Sequence, residues 1–268
     1  MKRAVTLSAL VCLLAVTAAA PAAPDAGGRH ARDKGTLLDS VPRKGVLRVC
    51  TTGDYRPFTH RGSDGSYSGI DIKMAHDLAK SLDAKPKFVA TTWKRIADDV
   101  AARRCDIAVG GVSITLPRAR KVSFSEPTRE DGKTPIARCA DQDKYATLEQ
   151  IDTPGTRVVV NPGGTNEQFA RAHIKRATLT VHPDNTTIFQ EIVDGRADVM
   201  MTDASETRYQ ARLHPELCSL HPDKPFTFAE KAYAVPRGDA PFKEYVDQFV
   251  HLATHDGTYA KYEAEWMK

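Results

Sequence analysis

Two kinds of apolar pattern alternate along the chain. Short apolar runs bounded by polar residues predict buried strands, and longer segments with apolar residues at helical spacing predict amphipathic helices. Because the two kinds alternate, we predict an α/β protein with mostly parallel sheets. The predicted strands cover residues 46–51, 87–90, 106–109, 136–138, 157–160, 179–181, 199–202 and 232–235, and the predicted helices cover 71–82, 93–103, 165–173, 186–193, 242–252 and 259–266.

The order of these elements predicts two lobes. The strand at 136–138 leaves the first βα series, and the strand at 232–235 returns to it after a second series. We therefore expect lobe 1 over residues 41–136 and 232–268 and lobe 2 over residues 137–231. Two lobes joined by two crossings form a hinge with a cleft between them, an arrangement that captures a small molecule by closing.

The beginning of the chain has the pattern of a secretory signal. Three residues, Met-Lys-Arg, precede an apolar run over 4–20 that is too short to span a membrane. We predict a signal peptide over 1–23, a loose leader over 24–40, and a periplasmic protein without a membrane anchor.

Four cysteines outside the predicted signal peptide could pair in an oxidising compartment. They allow three pairings. We favour Cys139–Cys218, because both residues fall in lobe 2. Cys50 and Cys105 lie in predicted buried strands, where we expect free thiols that act as small hydrophobes.

Composition narrows the partner class. The chain is 41% hydrophobic and 27% charged, which is ordinary for a soluble globular protein. The net charge of +4 is spread out and does not cluster with aromatic residues, so we discount nucleic acid and expect a small-molecule ligand. No cysteine or histidine spacing resembles a zinc site, and we expect no cofactor.

Two carboxylates follow the predicted strand at 199–202. Asp203 and Glu206 would stand at the carboxyl end of a parallel strand, where open α/β sheets place their ligands. They could bind a cationic group or donate a proton. Alternatively, Asp203 caps the next helix and Glu206 is a solvated acid in its first turn. The glycines at 110–111 and the loop at 161–167 could present backbone N–H groups to an anion, although a glycine turn serves a purely structural role equally well.

Four segments of the first lobe resemble the polar amino-acid-binding proteins of bacterial ABC transporters: TTGDYRPF at 51–58, GID at 69–71, SITLPR at 113–118 and VSFSEP at 122–127. This resemblance implies a two-lobe periplasmic-binding-protein-like (type II) fold with a two-strand hinge. It also implies roles for six residues. The ligand carboxylate would bind Ser113, Arg118 and Thr165, the ligand ammonium would bind Asp203, and Tyr55 and Trp93 would wall the side-chain pocket.

Further segments resemble a narrower family, the periplasmic cyclohexadienyl dehydratases: DGKTP at 131–135, VNPGGTNE at 160–167, HPDN at 182–185, MMTDASE at 200–206 and RLHPELC at 212–218. The resemblance implies conversion of prephenate to phenylpyruvate and of L-arogenate to L-phenylalanine. It implies that Glu206 donates the proton and that Asn166 supports it.

This chemistry places demands on the site. Loss of carbon dioxide and hydroxide makes the ring aromatic, so the protein must bind two carboxylates and protonate the departing hydroxyl. A Glu that holds its proton at pH 7 needs a dry cleft or a nearby like charge, and Asp203 lies one helical turn from Glu206. Lys133 is a candidate second cation for the ring carboxylate, or else a solvated hinge residue.

The competing hypothesis is a solute receptor that delivers an amino acid to a permease. It uses Arg118 and Asp203 in the same way and leaves Glu206 as a ligand or a surface acid. Binding proteins of this kind are usually monomers, but a homo-oligomer is possible.

Overall fold

The computed structural model describes residues 35–267, so the predicted signal peptide and most of the predicted leader lie outside the described residues. The helices are α1 (Leu37–Lys44), α2 (Ile70–Ser81), α3 (Ile96–Ala101), α4 (Leu116–Ala119), α5 (Leu148–Ile151), α6 (Thr165–His173), α7 (Ile188–Val193), α8 (Ala204–Leu213), α9 (Ala240–His255) and α10 (Thr258–Met267), with a 3-10 helix over Cys139–Lys144. The strands are β1 (Val46–Thr51), β2 (Asp54–Tyr55), β3 (Thr59–Arg61), β4 (Tyr67–Ser68), β5 (Lys85–Ala90), β6 (Ile107–Ala108), β7 (Val122–Phe124), β8 (Arg129–Asp131), β9 (Lys133–Arg138), β10 (Arg157–Val160), β11 (Thr178–Val181), β12 (Val199–Asp203), β13 (Leu217–Ser219), β14 (Ala229–Lys231) and β15 (Ala234–Pro236).

The first large sheet has the strand order β5-β1-β6-β15-β7. Strands β5, β1 and β6 run parallel, and β15 runs antiparallel to its neighbours. A core of apolar side chains from β1, α2 and α9 lies on one face, with Leu47, Ile70 and Val246 fully buried. On the other face α3 packs Ile96 and Val100 against β1 and β6.

The second large sheet has the order β11-β10-β12-β9-β13. Strands β11, β10 and β12 are parallel, while β9 pairs antiparallel with both β12 and β13. The central strand β12 is buried along its whole length, which explains the apolar residues Val199, Met200 and Met201 at its start. Its carboxyl end delivers Asp203 to the cleft, and α8 follows at once.

Two antiparallel strands, β8 and β14, form the crossing between the sheets. Strand β8 leads into β9 of the second sheet, and β14 leads into β15 of the first. The crossing therefore lies a few residues earlier than the predicted lobe boundary at 136, because β9 already pairs with β12. Helix α1 begins at Leu37, inside the segment predicted as leader.

Two disulfides occur in the described chain, Cys139–Cys218 and Cys50–Cys105. The first confirms the favoured pairing. The expectation of free thiols at Cys50 and Cys105 was wrong, because β1 and β6 are neighbours and bring the two residues to a Cα–Cα distance of 5.6 Å. In residues 35–267 we find no helix with the length and apolar character that crossing a bilayer requires.

Candidate active site

Asp203 lies at the end of β12 with 2% of its surface exposed. Its Oδ1 accepts a hydrogen bond from Lys133 Nζ at 2.6 Å, and its Oδ2 accepts bonds from Tyr55 Oη at 2.5 Å and from Lys231 Nζ. Although Asp203 occupies the N-cap position of α8, its side chain makes no capping bond. Burial alone would raise the pKa of Asp203, but the two lysines hold that pKa well below its usual range. The helix-cap interpretation of Asp203 is therefore wrong.

The two lysines that bond to Asp203 lie in different strands, Lys133 at the start of β9 and Lys231 at the end of β14. Lys133 is 5% exposed and Lys231 is 1% exposed. Besides Asp203, Lys133 Nζ donates to Thr165 Oγ1 at 3.0 Å and to Asn166 Oδ1. Burial lowers the pKa of Lys133, while Asp203 acts in the opposite direction. The alternative that Lys133 is a solvated hinge residue is excluded by this burial.

Lys231 was not among the predicted site residues. Its Nζ donates to Ser113 Oγ at 2.9 Å and lies 5.3 Å from the centroid of the Tyr55 ring. The only sequence feature that indicates it is a lysine directly before the buried run 232–235, at the point where the chain crosses between lobes.

Arg118 lies at the carboxyl side of the short helix α4, and its Nη1 donates to the carbonyl oxygen of Ser113 at 2.8 Å. Burial lowers the pKa of Arg118, with Asp203 opposing. Within residues 35–267 no carboxylate forms a salt bridge with Arg118. Its remaining N–H groups are therefore available to a ligand oxygen.

Aromatic rings form one wall of the cleft. Tyr55 stacks on Phe58 with centroids 5.7 Å apart and meets Trp93 edge-on at 5.2 Å. Gly111 passes so close to this wall that a Cβ there would lie 2.5 Å from the Phe58 ring, and its φ of +72° also favours glycine.

The N–H groups of Gly110 and Gly111 do not face the cleft. Both donate to Asp71 Oδ2, at 2.8 and 2.7 Å. The expectation that they present N–H groups to a ligand was therefore wrong, because a buried carboxylate of α2 takes them. The loop at 161–167 behaves differently, since the first turn of α6, from Gly164 to Asn166, lines the cavity.

Glu206 has no exposed surface. Its Oε2 accepts a bond from Thr202 Oγ1 at 2.6 Å, and its Oε1 accepts one from Asn185 Nδ2 at 2.9 Å. Burial, together with the charges of Asp203 and Asp54, raises the pKa of Glu206 to about 8, although the two hydrogen bonds act in the opposite direction. The interpretation of Glu206 as a solvated acid is therefore wrong.

A chain of hydrogen bonds connects Glu206 with Lys133, one of the two lysines that bond to Asp203. Lys133 donates to Asn166 Oδ1, Asn166 Nδ2 donates to Thr202 Oγ1 at 2.8 Å, and Thr202 donates to Glu206. Asn166 Nδ2 also donates to Asn161 Oδ1 at 2.9 Å, which fixes the orientation of the amide. Thr202 was not predicted, because a threonine at a strand end has no distinctive pattern.

Asn185 joins the two sides of the cleft. Its Nδ2 donates both to Glu206 and to the backbone oxygen of Asp54, which lies in β2 beside the first sheet, at 2.9 Å. Asn185 belongs to the segment at 182–185 that carried the resemblance, but it was not among the predicted site residues. Because both bonds share one amide group, the environment of Glu206 depends on closure of the cleft.

The cavity between the sheets has a volume of about 10 Å³, which is room for no more than about one water molecule. Seven predicted site residues line it: Tyr55, Trp93, Ser113, Arg118, Thr165, Asn166 and Asp203. Lys133 does not line the cavity but bonds directly to Thr165, Asn166 and Asp203, which do. Glu206 does not line it either, and it is connected with the lining residue Asn166 through Thr202. This volume is far below that of small-molecule sites, so the cleft is closed and must open to admit a ring with two carboxylates. In the part of the chain that the structure describes, no three His, Cys, Asp or Glu side chains are grouped to hold a metal ion.

Residues 47–268 match the model of the bacterial extracellular solute-binding proteins, family 3. The chain belongs to this family. Within it, the chain is 55% identical over 231 residues to the cyclohexadienyl dehydratase of Pseudomonas aeruginosa, a match that covers 86% of each chain.

Solved structures of family relatives superpose on the chain. An ancestral amino-acid-binding protein, described as a precursor of cyclohexadienyl dehydratase, is 35% identical with a TM-score of 0.80 and covers 87% of this chain and all of its own. An ancestral cyclohexadienyl dehydratase is 49% identical with a TM-score of 0.56, over 87% of this chain and 97% of its own. These likenesses confirm the predicted two-lobe type II fold of the family.

Proposed function

We propose that this solute-binding-family protein is a periplasmic cyclohexadienyl dehydratase, a carbon–oxygen lyase of phenylalanine biosynthesis. It converts prephenate to phenylpyruvate and L-arogenate to L-phenylalanine, with Glu206 as the general acid. The 55% identity to the Pseudomonas enzyme supports the activity. The observation that carries the role of Glu206 is its complete burial with a pKa of about 8. Two disulfides suit the oxidising periplasm.

The cations of the cleft suit a dicarboxylate. Arg118 and Ser113, together with the first turn of α6 at Thr165, would hold the side-chain carboxylate of the substrate, since a guanidinium fork and helix N–H groups match its two oxygens. Lys133 would hold the ring carboxylate. The ring itself would pack against Tyr55 and Trp93.

The hydrogen bonding of Glu206 supports proton donation. Its Oε2 lies 2.6 Å from Thr202 Oγ1, a hydroxyl that can also accept the O–H of the neutral acid, and its Oε1 accepts a bond from Asn185 Nδ2. With a pKa of about 8, roughly nine-tenths of Glu206 is protonated at pH 7. The proton is therefore present at pH 7, and the hydrogen bonds through Thr202 and Asn166 connect the acid with the cavity.

In the reaction, the bond between the ring and its carboxylate breaks and the electron pair enters the ring as carbon dioxide leaves. The C–O bond of the ring hydroxyl breaks at the same time, and hydroxide departs as water with the proton from Glu206. A positioned acid contributes roughly 10²–10⁴-fold to such a step. Closure of the cleft removes water, which keeps the acid neutral and strengthens the contacts of the lysines with the substrate.

The test is turnover of prephenate by the purified protein, followed as phenylpyruvate. We expect Glu206→Gln to lower kcat by about 10²-fold or more while binding of prephenate stays measurable. We also expect the wild-type rate to fall as pH rises through about 8, because only protonated Glu206 is active. Glu216→Gln, an exposed acid beyond the end of α8, is the matched control and should keep full activity.

Two results would contradict the proposal at different points. Full activity of Glu206→Gln would show that Glu206 is not the general acid, but the protein would still be a dehydratase. Absence of turnover at every protein concentration, together with tight binding of an amino acid, would make the protein a receptor.

A further inference from the structure

The carboxylate expected to bind a ligand ammonium is already occupied. A carboxylate offers about four acceptor positions, and three bonds from Lys133, Lys231 and Tyr55 fill most of those on Asp203. An incoming ammonium group would meet two buried ammonium groups rather than a free carboxylate.

The charges around the cavity have a positive excess. Arg118, Lys133 and Lys231 face one carboxylate, Asp203, while Glu206 is neutral in the proposed mechanism. Asp131, an acid that acts on Lys133, accepts bonds from Ser205 Oγ and from the N–H groups of Gly132 and Ser205. The cluster formed by Arg118, Lys133, Lys231 and Asp203 therefore has a net positive charge that suits a dianion.

Lys231 lies on the side of the cleft that holds the side-chain carboxylate. Its Nζ donates a hydrogen bond to Ser113 Oγ, and the carbonyl oxygen of Ser113 accepts a hydrogen bond from Arg118 Nη1. The group next to that substrate carboxylate is a ketone in prephenate and an ammonium in L-arogenate. Lys133 instead bonds to Thr165 and Asn166 in the first turn of α6.

We propose that Lys231 is a specificity-determining residue, which by occupying Asp203 makes the cleft favour prephenate over L-arogenate. The inference rests on the proposed function and deepens it. Its physical basis is charge repulsion: an ammonium beside the buried Lys231 is repelled, while a ketone in the same place can accept a hydrogen bond from it.

The experiment compares kcat/KM for L-arogenate with kcat/KM for prephenate in wild type, Lys231→Met and Lys231→Gln. Methionine removes the charge and keeps a flexible chain, and glutamine removes the charge but keeps a donor. We expect the arogenate-to-prephenate ratio to rise about tenfold or more in both variants, because Asp203 becomes available to the substrate ammonium. Lys80→Met, an exposed lysine at the end of α2, should leave the ratio unchanged.

A folded Lys231 variant with a ratio within about twofold of wild type would overturn the inference and leave the dehydratase function intact. If a variant turns over neither substrate, the Kd values of both substrates are measured by calorimetry in a Glu206→Gln background, and the same change in ratio is required. Failure of the proposed function would give a different result, because the wild-type protein would then turn over neither substrate. In that case the Kd ratio of wild type and variants still decides whether Lys231 selects against the ammonium.

Discussion

Replacement of Glu206 by glutamine should change how the stability of the protein depends on pH. Burial keeps the folded-state pKa of Glu206 at about 8, against a usual value of 4.5. Between those values the folded chain binds a proton that the unfolded chain has lost. Stability therefore falls as pH rises from about 4.5 to about 8, and the total loss is about 5 kcal/mol. Glutamine has no proton to lose and escapes this loss.

The expected difference in stability between Glu206→Gln and wild type has a defined sign at each pH. Near pH 5 the variant should be equal to wild type or less stable by about 1 kcal/mol, because one oxygen that accepts from Thr202 or Asn185 becomes an NH₂ group. At pH 9 the variant should be more stable than wild type. The difference should approach the loss of about 5 kcal/mol in wild type, reduced by the loss of about 1 kcal/mol from the altered hydrogen bond. Asp203 has a depressed pKa, so its own contribution is lost only as pH falls, and it is the same in both proteins.

The assay is urea unfolding of the oxidised, ligand-free proteins at several pH values from 5 to 9. Glu216→Gln provides the control and should follow wild type at each pH, since that side chain is exposed. A difference between Glu206→Gln and wild type that stays constant within about 1 kcal/mol from pH 5 to pH 9 would refute the reasoning. It would mean that Glu206 is ionised in the folded protein and cannot be a neutral acid near pH 7.

Three further substitutions test other parts of the site and fold. Asn185→Ala should lower kcat about tenfold or more at little change in Tm, because the bond that orients the proposed proton donor across the cleft is lost; an unchanged kcat in steady-state assays would contradict this. Arg118→Lys should raise KM for prephenate at least about tenfold, since a lysine cannot make the bidentate pair with a carboxylate. An unaltered KM would mean that Arg118 does not bind the substrate. Replacing Cys50 and Cys105 together by serine should destabilise the protein by about 2–4 kcal/mol in urea unfolding, because their disulfide closes a loop with a sequence separation of 55; equal stability would contradict a structural role for it.

Much of the fold could be predicted from periodicity. The predicted elements at 46–51, 157–160 and 165–173 coincide with β1, β10 and α6. These segments have either a continuous apolar run or regular helical spacing. The small sheet of β2, β3 and β4 was missed, because strands of two or three residues show no period.

The site was predictable only where one residue has a distinctive chemistry. Arg118, Asp203 and Glu206 carry charges at the ends of recognisable elements, and the resemblance assigned their roles. Lys231 and Asn185 act through partners far away in sequence, at separations of 118 residues from Ser113 and 131 residues from Asp54. No local pattern encodes such a pairing, because it arises from how the two sheets meet.

The pairing of Lys231 and Lys133 with Asp203 explains how one cleft can be cationic and still hold a neutral acid. A free lysine beside Glu206 would favour its ionised form and remove the proton needed near pH 7. Here both lysines are bonded to Asp203, and the charges that act most strongly on Glu206 are those of Asp203 and Asp54, which favour the neutral form. A receptor needs Asp203 free for its ligand, whereas the acid needs Asp203 to hold the lysines. The same carboxylate cannot serve both purposes fully, so catalysis by the proposed mechanism requires the lysines as well as Glu206.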